Sequence, residues 1–203
     1  MTMVETPRIA TLSVEDSLAA AETVNVVPQI AQLNIFRTLL KHPKLAKVIN
    51  DLLIMLLADD NRLTHRVREL LIMRIGWVTG SDYEWTQHWR VAQDFGLSES
   101  ELVAVKDWRN ADCFDEVEQA VLAATDETLT DGCISPETWA ACAEALATEE
   151  ELLELNAAIG AWRLISQLAR SVDIQLEEAV ASWPPDGLAP RLAESKAAST
   201  VRR

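Results

Sequence analysis

Apolar residues recur at three- and four-residue intervals along almost the whole chain, and this spacing constrains the fold more than any other feature. It places one apolar face on an α-helix, whereas a half-buried strand would require strict alternation. Only 6 glycines and 7 prolines interrupt the 203 residues. We find no persuasive strand and no internal repeat. The pattern therefore predicts an all-α fold, a single-domain helical bundle.

Residues that cap helices mark the expected helix ends. Ser13, Ser98 and Thr148 each stand three positions before an acidic residue, which is the spacing of a capping box. Thr64 is expected to begin a helix that Gly80 ends. The predicted helices lie within residues 13–24, 28–42, 43–58, 63–80, 81–96, 97–102, 115–129, 134–139 and 148–170.

Composition divides the chain into three parts. Residues 1–27 are expected to form an N-terminal extension with one short helix, and residues 28–183 to form the helical domain. Residues 184–203 follow Trp183 and contain few large apolar residues, so we predict a mobile C-terminal tail.

The formal net charge of −14 limits the classes of partner. An acidic surface repels phosphate backbones and anionic lipids, so no nucleic-acid or membrane partner is expected. The longest apolar run, Leu52–Ala58, is too short to span a bilayer. The N-terminus lacks the basic and then apolar pattern of a signal peptide, which predicts a cytoplasmic protein.

The three cysteines show no pairing pattern. Cys113, Cys133 and Cys142 are odd in number and form no CxxC motif. This spacing argues against a disulfide framework, a zinc site and a dithiol redox centre. We therefore expect free thiols and no metal site.

The segment Val67–Val78 is apolar on nearly every side, which predicts a helix buried within the domain or between subunits. Glu69 lies within it. A carboxylate in such a helix needs a partner, or its pKa rises toward the neutral form. Arg66, three residues earlier, could supply a simple ion pair.

The stretch that follows, GSDYEWTQH (Gly80–His88), concentrates polar and aromatic residues. If a helix begins near Ser81, then Ser81, Glu84 and His88 share one face. Glu84 would be within reach of a hydrogen bond that fixes the histidine tautomer and raises its basicity. Glu69 could add a second carboxylate if the turn at Gly80 folds the two helices together.

A purely structural interpretation of the same residues stays open. Ser81 and Glu84 have the spacing of a capping box, which would explain both without catalysis. His88 could be a core histidine between Trp85 and Trp89.

The segment Arg68–Leu102, RELLIMRIGWVTGSDYEWTQHWRVAQDFGLSESEL, resembles the carboxymuconolactone decarboxylase family, which also contains the alkyl hydroperoxidase D enzymes. Weaker similarity in NIFRTLLKHPKL and LNAAIGAWRLISQLARSVDI extends it over about residues 30–175. Glu69, Ser81, Glu84 and His88 match the spacing of the family's glutamate, two active-site positions and histidine. The resemblance implies an oligomeric, cofactor-free enzyme with an alkyl hydroperoxidase D-like fold that acts on a small organic acid or lactone.

The redox branch of that family has cysteines at the positions of Ser81 and Glu84. This chain has neither cysteine, and without a thiolate there is no nucleophile to reduce a peroxide. We therefore do not expect thiol peroxidase activity.

The leading hypothesis is a decarboxylase- or lyase-like acid–base enzyme, in aromatic-compound catabolism or a related route. His88, oriented by Glu84, would move a proton. Glu69 would be a second acid or base, or would hold His88 in place. No cofactor is expected, and the partners would be a small-molecule substrate and further copies of the chain. Candidate substrate-binding residues are Ser81, Tyr83, Trp85, Arg68 and Trp162.

Arginines could anchor a substrate carboxylate, because guanidinium binds it through two parallel hydrogen bonds. The alternative to an enzyme is a non-catalytic, oligomeric binding protein that retains the family scaffold. The candidate arginines are Arg68, Arg74, Arg90 and Arg163.

Overall fold

The computed structural model describes residues 7–58 and 60–191, and all regular structure in these residues is helical. The all-α prediction is confirmed. None of the helices in the described residues is long and apolar enough to cross a membrane. The helices are α1 (Val14–Glu22), α2 (Pro28–Ala31), α3 (Asn34–Leu39), α4 (Pro43–Leu57), α5 (His65–Thr79), α6 (Asp82–Asp94), α7 (Glu99–Ala104), a 3-10 helix (Val105–Asn110), α8 (Glu116–Asp131), α9 (Pro136–Ala145) and α10 (Glu149–Ser171).

Most predicted helix ends are confirmed. Ser98 and Thr148 form complete capping boxes at α7 and α10. The Ser13 hydroxyl caps α1, and the Thr64 hydroxyl caps α5. Gly80 ends α5 in the left-handed conformation, with φ at 68° and ψ at 34°.

The prediction of one continuous helix over residues 28–42 is wrong. The chain forms two short helices, α2 and α3, with a break at Gln32 and Leu33. At the break, the Asn34 backbone N–H donates to the Glu177 carboxylate at 2.9 Å. In a continuous helix, the Asn34 N–H would instead donate to the backbone carbonyl four residues earlier.

Helix α5 is the centre of the bundle. It packs against α6, α8 and α10. Five of its apolar side chains have no exposed surface, which confirms that a helix apolar on nearly every side is buried. They are Leu70, Leu71, Ile72, Met73 and Ile75.

The reversal at Gly80 presses α6 against α5. The Ser81 backbone N–H donates to the Gly76 carbonyl at 2.8 Å, which closes the turn. Gly76 faces the backbone of Trp85, and a Cβ built at Gly76 would lie 3.0 Å from the Trp85 nitrogen. The missing side chain therefore permits the close approach of the two helices, which brings residue 69 opposite residue 88.

The chain after α10 folds back across α6. Asp82 accepts hydrogen bonds from the Ser182 hydroxyl and from the Trp183 backbone. The Trp85 indole donates to the Pro184 carbonyl at 2.8 Å. The predicted mobile tail begins at Pro184, and its residues 192–203 lie outside the described residues.

Gly76→Ala should destabilise the protein, because the added methyl group can be relieved only by moving the α6 backbone. We expect the free energy of unfolding to fall by about 1–3 kcal/mol in a urea titration.

Gly160→Ala is the matched control. Gly160 is also within a helix, but a Cβ there meets nothing within 4 Å. Since alanine is the better helix former, this variant should gain about 0.5–1 kcal/mol. Equal effects of the two substitutions would contradict the close helix approach at Gly76.

Candidate active site

His88 on α6 is held by Glu69 on α5. The His88 Nδ1 atom lies 2.7 Å from Glu69 Oε2, and Glu69 has no exposed surface. The expectation that Glu84 orients the ring is wrong, because His88 Nε2 and Glu84 Oε2 are 3.8 Å apart and make no hydrogen bond. Glu69, 19 positions earlier, therefore holds the ring, which is one of the two roles expected for it.

The contacts of both ring nitrogens favour one tautomer of neutral His88. The Trp162 indole N–H donates to His88 Nε2 at 3.4 Å. Indole nitrogen is a donor only, so Nε2 is the acceptor and Nδ1 carries the proton that it donates to Glu69. Neutral His88 thus presents a basic lone pair on Nε2, away from Glu69.

The pKa values of Glu84 and His88 are both raised above their ordinary values. Burial, together with the nearby Glu69 charge, raises the pKa of Glu84 to about 7, although His88 opposes the rise. Burial lowers the pKa of His88, but the charge and hydrogen bond of Glu69, with the charge of Glu84, raise it on balance. A carboxyl of raised pKa thus lies beside an imidazole of raised pKa, and the charge of each affects the other, so the two groups are coupled.

Arg68 lies behind this pair. Its Nε atom is 3.6 Å from Glu69 Oε1, its Nη2 atom is 2.6 Å from His65 Nδ1, and only 1% of the residue is exposed. Arg68 therefore adds positive charge beside Glu69 and does not line the cavity next to His88. The ion pair suggested between Arg66 and Glu69 does not form. Arg66 pairs with two other carboxylates, those of Glu101 and Glu118.

A cavity of about 560 Å³ opens beside His88 and Glu84. This volume is in the usual range for a small-molecule site. Its polar lining is formed by Asn50, Tyr83, Glu84, Thr86, Gln87, His88, Arg90 and Glu177. Its apolar walls are formed by Ile30, Leu33, Ile35, Phe36, Leu53, Ile54, Leu57, Val91, Trp162, Ile165 and Val180.

The predicted capping box at Ser81 is wrong. Ser81 occupies the N-cap position of α6, but its hydroxyl makes no capping bond. That oxygen is buried without a hydrogen-bond partner among the described residues, and Ser81 does not line the cavity. Glu84 is directed toward His88 instead of back to the N-cap, which leaves the box unformed.

The aromatic candidates separate into two groups. Trp162 and Tyr83 line the cavity. The Tyr83 hydroxyl donates to Glu177 at 2.8 Å, and burial with that carboxylate raises the pKa of Tyr83. Trp85 lies outside the cavity, fully buried against three other indoles, those of Trp77, Trp89 and Trp183.

Sequence reasoning missed Glu177. Its carboxylate accepts hydrogen bonds from the Tyr83 hydroxyl, the Gln87 amide and the Asn34 backbone. It belongs to a segment with no motif, 94 positions from Tyr83. No local signal in the sequence could have indicated that it lines the site.

The cysteines lie elsewhere. Cys113 and Cys133 are exposed, Cys142 is buried, and none of them lines this cavity. Burial raises the pKa of the Cys113 and Cys142 thiols, which disfavours the reactive thiolate. No cluster of metal-binding side chains is present in residues 7–58 and 60–191.

Comparison with solved structures shows the fold. The debrominase Bmp8, in a cysteine-to-alanine variant bound to 2,3,4-tribromopyrrole, has a TM-score of 0.68 and 18% identity over 86% of this chain and 94% of its own. An uncharacterised peroxidase-related protein from Ralstonia eutropha JMP134, described as an alkylhydroperoxidase AhpD core, has a TM-score of 0.69 and 16% identity over 85% and 93%. A protein of unknown function from Agrobacterium tumefaciens, named after the antioxidant defence protein AhpD, has a TM-score of 0.62 and 22% identity over 68% and 94%.

No curated protein matches the chain by sequence. The model of the carboxymuconolactone decarboxylase family matches residues 43–127, which include Glu69, Glu84 and His88. This segment is thus similar to the carboxymuconolactone decarboxylase family, and it lies on a fold that the chain shares with AhpD-like proteins.

Proposed function

We propose that this protein is a cytoplasmic, cofactor-free acid–base enzyme that acts on a small organic acid or lactone in a decarboxylase- or lyase-type reaction. One observation carries the proposal: a histidine fixed by a buried carboxylate, with a second carboxyl of pKa about 7 beside it, at the wall of a cavity of about 560 Å³. Proton transfer requires such groups close to neutral pH.

His88 is the proton carrier in this proposal. Its Nε2 lone pair exchanges the long contact with the Trp162 indole for a proton from the substrate, and Glu69 stabilises the imidazolium that forms. In a decarboxylation, the bond between carbon and the carboxylate breaks, and its electron pair stays on the substrate carbon. The Nε2–H of protonated His88 then protonates that carbon, which returns His88 to its neutral form.

Glu84 is the second acid or base. Its Oε2 atom lies 3.8 Å from His88 Nε2, so both groups face the same region of the cavity. The ordinary solution value for a glutamate is 4.5, whereas Glu84 titrates near 7. It can therefore hold a proton for the substrate when His88 is neutral.

The walls of the cavity favour a compact, largely apolar substrate. Apolar side chains from α2–α4 and α10 surround the polar groups of α6. The debrominase of similar fold was solved with 2,3,4-tribromopyrrole, a small ring compound, and this supports a ring-shaped substrate here.

Association with further copies of the chain is part of the proposal. Apolar side chains lie exposed on α4 and on α10, with Val48 and Leu153 both 68% exposed. Burial of such surface between subunits stabilises oligomers.

His88→Gln should lower kcat/KM by at least about 100-fold, because the proton carrier is lost. The assay follows carbon dioxide release and loss of substrate absorbance across a panel of carboxylated lactones and aromatic acids. His42→Asn is the control, since His42 is the exposed N-cap of α4, outside the cavity, and asparagine can also cap. Full activity of His88→Gln, with an unchanged melting temperature, would refute the assignment.

Glu84→Gln should reduce the dependence of stability on pH. The raised pKa of Glu84 means that the folded protein keeps a proton which the unfolded chain releases above about pH 4.5. The stability that protonated Glu84 contributes is therefore fully present below about pH 4.5, and it is lost as the pH rises through about 7. Between pH 5 and pH 8 the loss should amount to roughly 2 kcal/mol in the wild type.

Urea titrations of both proteins across that pH range measure this difference. The raised pKa of His88 contributes in the same direction, and Glu84→Gln also removes the Glu84 charge that helps to raise it, so the difference reports on Glu84 together with its coupling to His88. Identical slopes against pH would mean that Glu84 titrates as an ordinary carboxyl.

A further inference from the structure

The structure separates the four arginines that could have anchored a substrate carboxylate. Arg74 is paired with Asp126 at 2.6 Å. Arg163, exposed on α10, donates to the Thr128 carbonyl at 3.1 Å. Arg68 is buried behind Glu69 and does not line the cavity. Three of the four are therefore directed away from the cavity.

Arg90 is the fourth, and it lines the cavity. It stands two residues after His88 on α6 and is exposed at the rim. Within the described part of the chain, no carboxylate forms an ion pair with Arg90. Of the described residues that line this cavity, it alone carries a permanent positive charge.

The two acidic side chains in the lining are engaged elsewhere. Glu177 accepts hydrogen bonds from Tyr83, Gln87 and the backbone of Asn34. Glu84 is buried beside His88, where its neutral form is favoured. Neither carboxylate neutralises Arg90, so its guanidinium remains available to a ligand.

The charge of the whole chain makes this guanidinium more significant. A protein of formal net charge −14 repels small anions at long range, so binding an anion requires a local cation. Arg90 supplies one at the rim of a mostly apolar cavity, and a guanidinium binds a carboxylate through two parallel hydrogen bonds.

We propose that Arg90 binds a carboxylate that the substrate keeps during the reaction, and that it selects molecules with an apolar body and a carboxylate at the end nearest the rim. This inference rests on the proposed function, and it excludes neutral lactones as preferred substrates. Arg90 is then a specificity residue, while His88 and Glu84 act on the far part of the molecule.

Binding of two probes of nearly equal shape tests the proposal. 2-Naphthoate carries the carboxylate, and 2-naphthamide replaces it with a neutral amide. Isothermal titration of the full chain at low salt should show at least tenfold tighter binding of naphthoate. Arg90→Gln should weaken naphthoate binding about tenfold and change naphthamide binding less than twofold. Arg90→Lys should fall between Arg90→Gln and the wild type, because a point charge replaces the two-pronged donor.

Arg163→Gln is the matched control, since it removes the same charge from an exposed helical arginine outside the cavity. Three results would overturn the proposal: equal affinity of the wild type for the two probes, binding of neither probe, or equal losses in Arg90→Gln and Arg163→Gln. A melting temperature near that of the wild type verifies that each variant is folded.

The experiment separates this inference from the proposed function, because it measures binding without turnover. Naphthoate binding that depends on Arg90 would support the anchor even if His88→Gln left every tested reaction unchanged. Loss of turnover in His88→Gln, with naphthoate binding insensitive to Arg90, would leave the acid–base assignment in place and remove the anchor.

Discussion

The hydrogen bond between Glu69 and His88 is the interaction on which the rest of this site depends. A carboxylate without exposed surface is costly to bury unless it is paired, and the histidine supplies that partner across 2.7 Å. The bond requires α5 and α6 to lie close together. Gly76 permits this approach and Gly80 reverses the chain, so the local backbone and the buried charge impose the same geometry.

The two glutamates around His88 differ in whether they form a hydrogen bond to its ring, and this difference gives them different chemical roles. Glu69 is hydrogen-bonded to the ring, whereas Glu84 is 3.8 Å away with no bond to it. Burial of Glu84 outweighs the opposing charge of His88 and raises the pKa of this glutamate to about 7. Glu69 thus orients the histidine ring, whereas Glu84 can act as an acid.

Local patterns predicted the helices well, because capping and apolar spacing are properties of neighbouring residues. The burial of α5 followed in the same way from its apolar sides. One error arose where distant residues interact, because Asn34 bonds to Glu177 and interrupts a helix. The other lies within α6, where Glu84 is directed toward His88, four residues later, and leaves the cap of the helix unformed. The candidate pair of residues 84 and 88 was visible from spacing, but the partner that holds the ring depends on tertiary packing.

The attachment of the segment after α10 has a consequence for the order in which the site is assembled during synthesis. Glu177 contacts Tyr83 across 94 positions of sequence, so the helices that carry the acid and the base leave the ribosome long before this part of the wall. The α5–α6 pair can associate as soon as both helices are available, because its contacts are local. Glu177 and Val180 are the last parts of the cavity wall to be synthesised, so the cavity is complete only after this segment has docked.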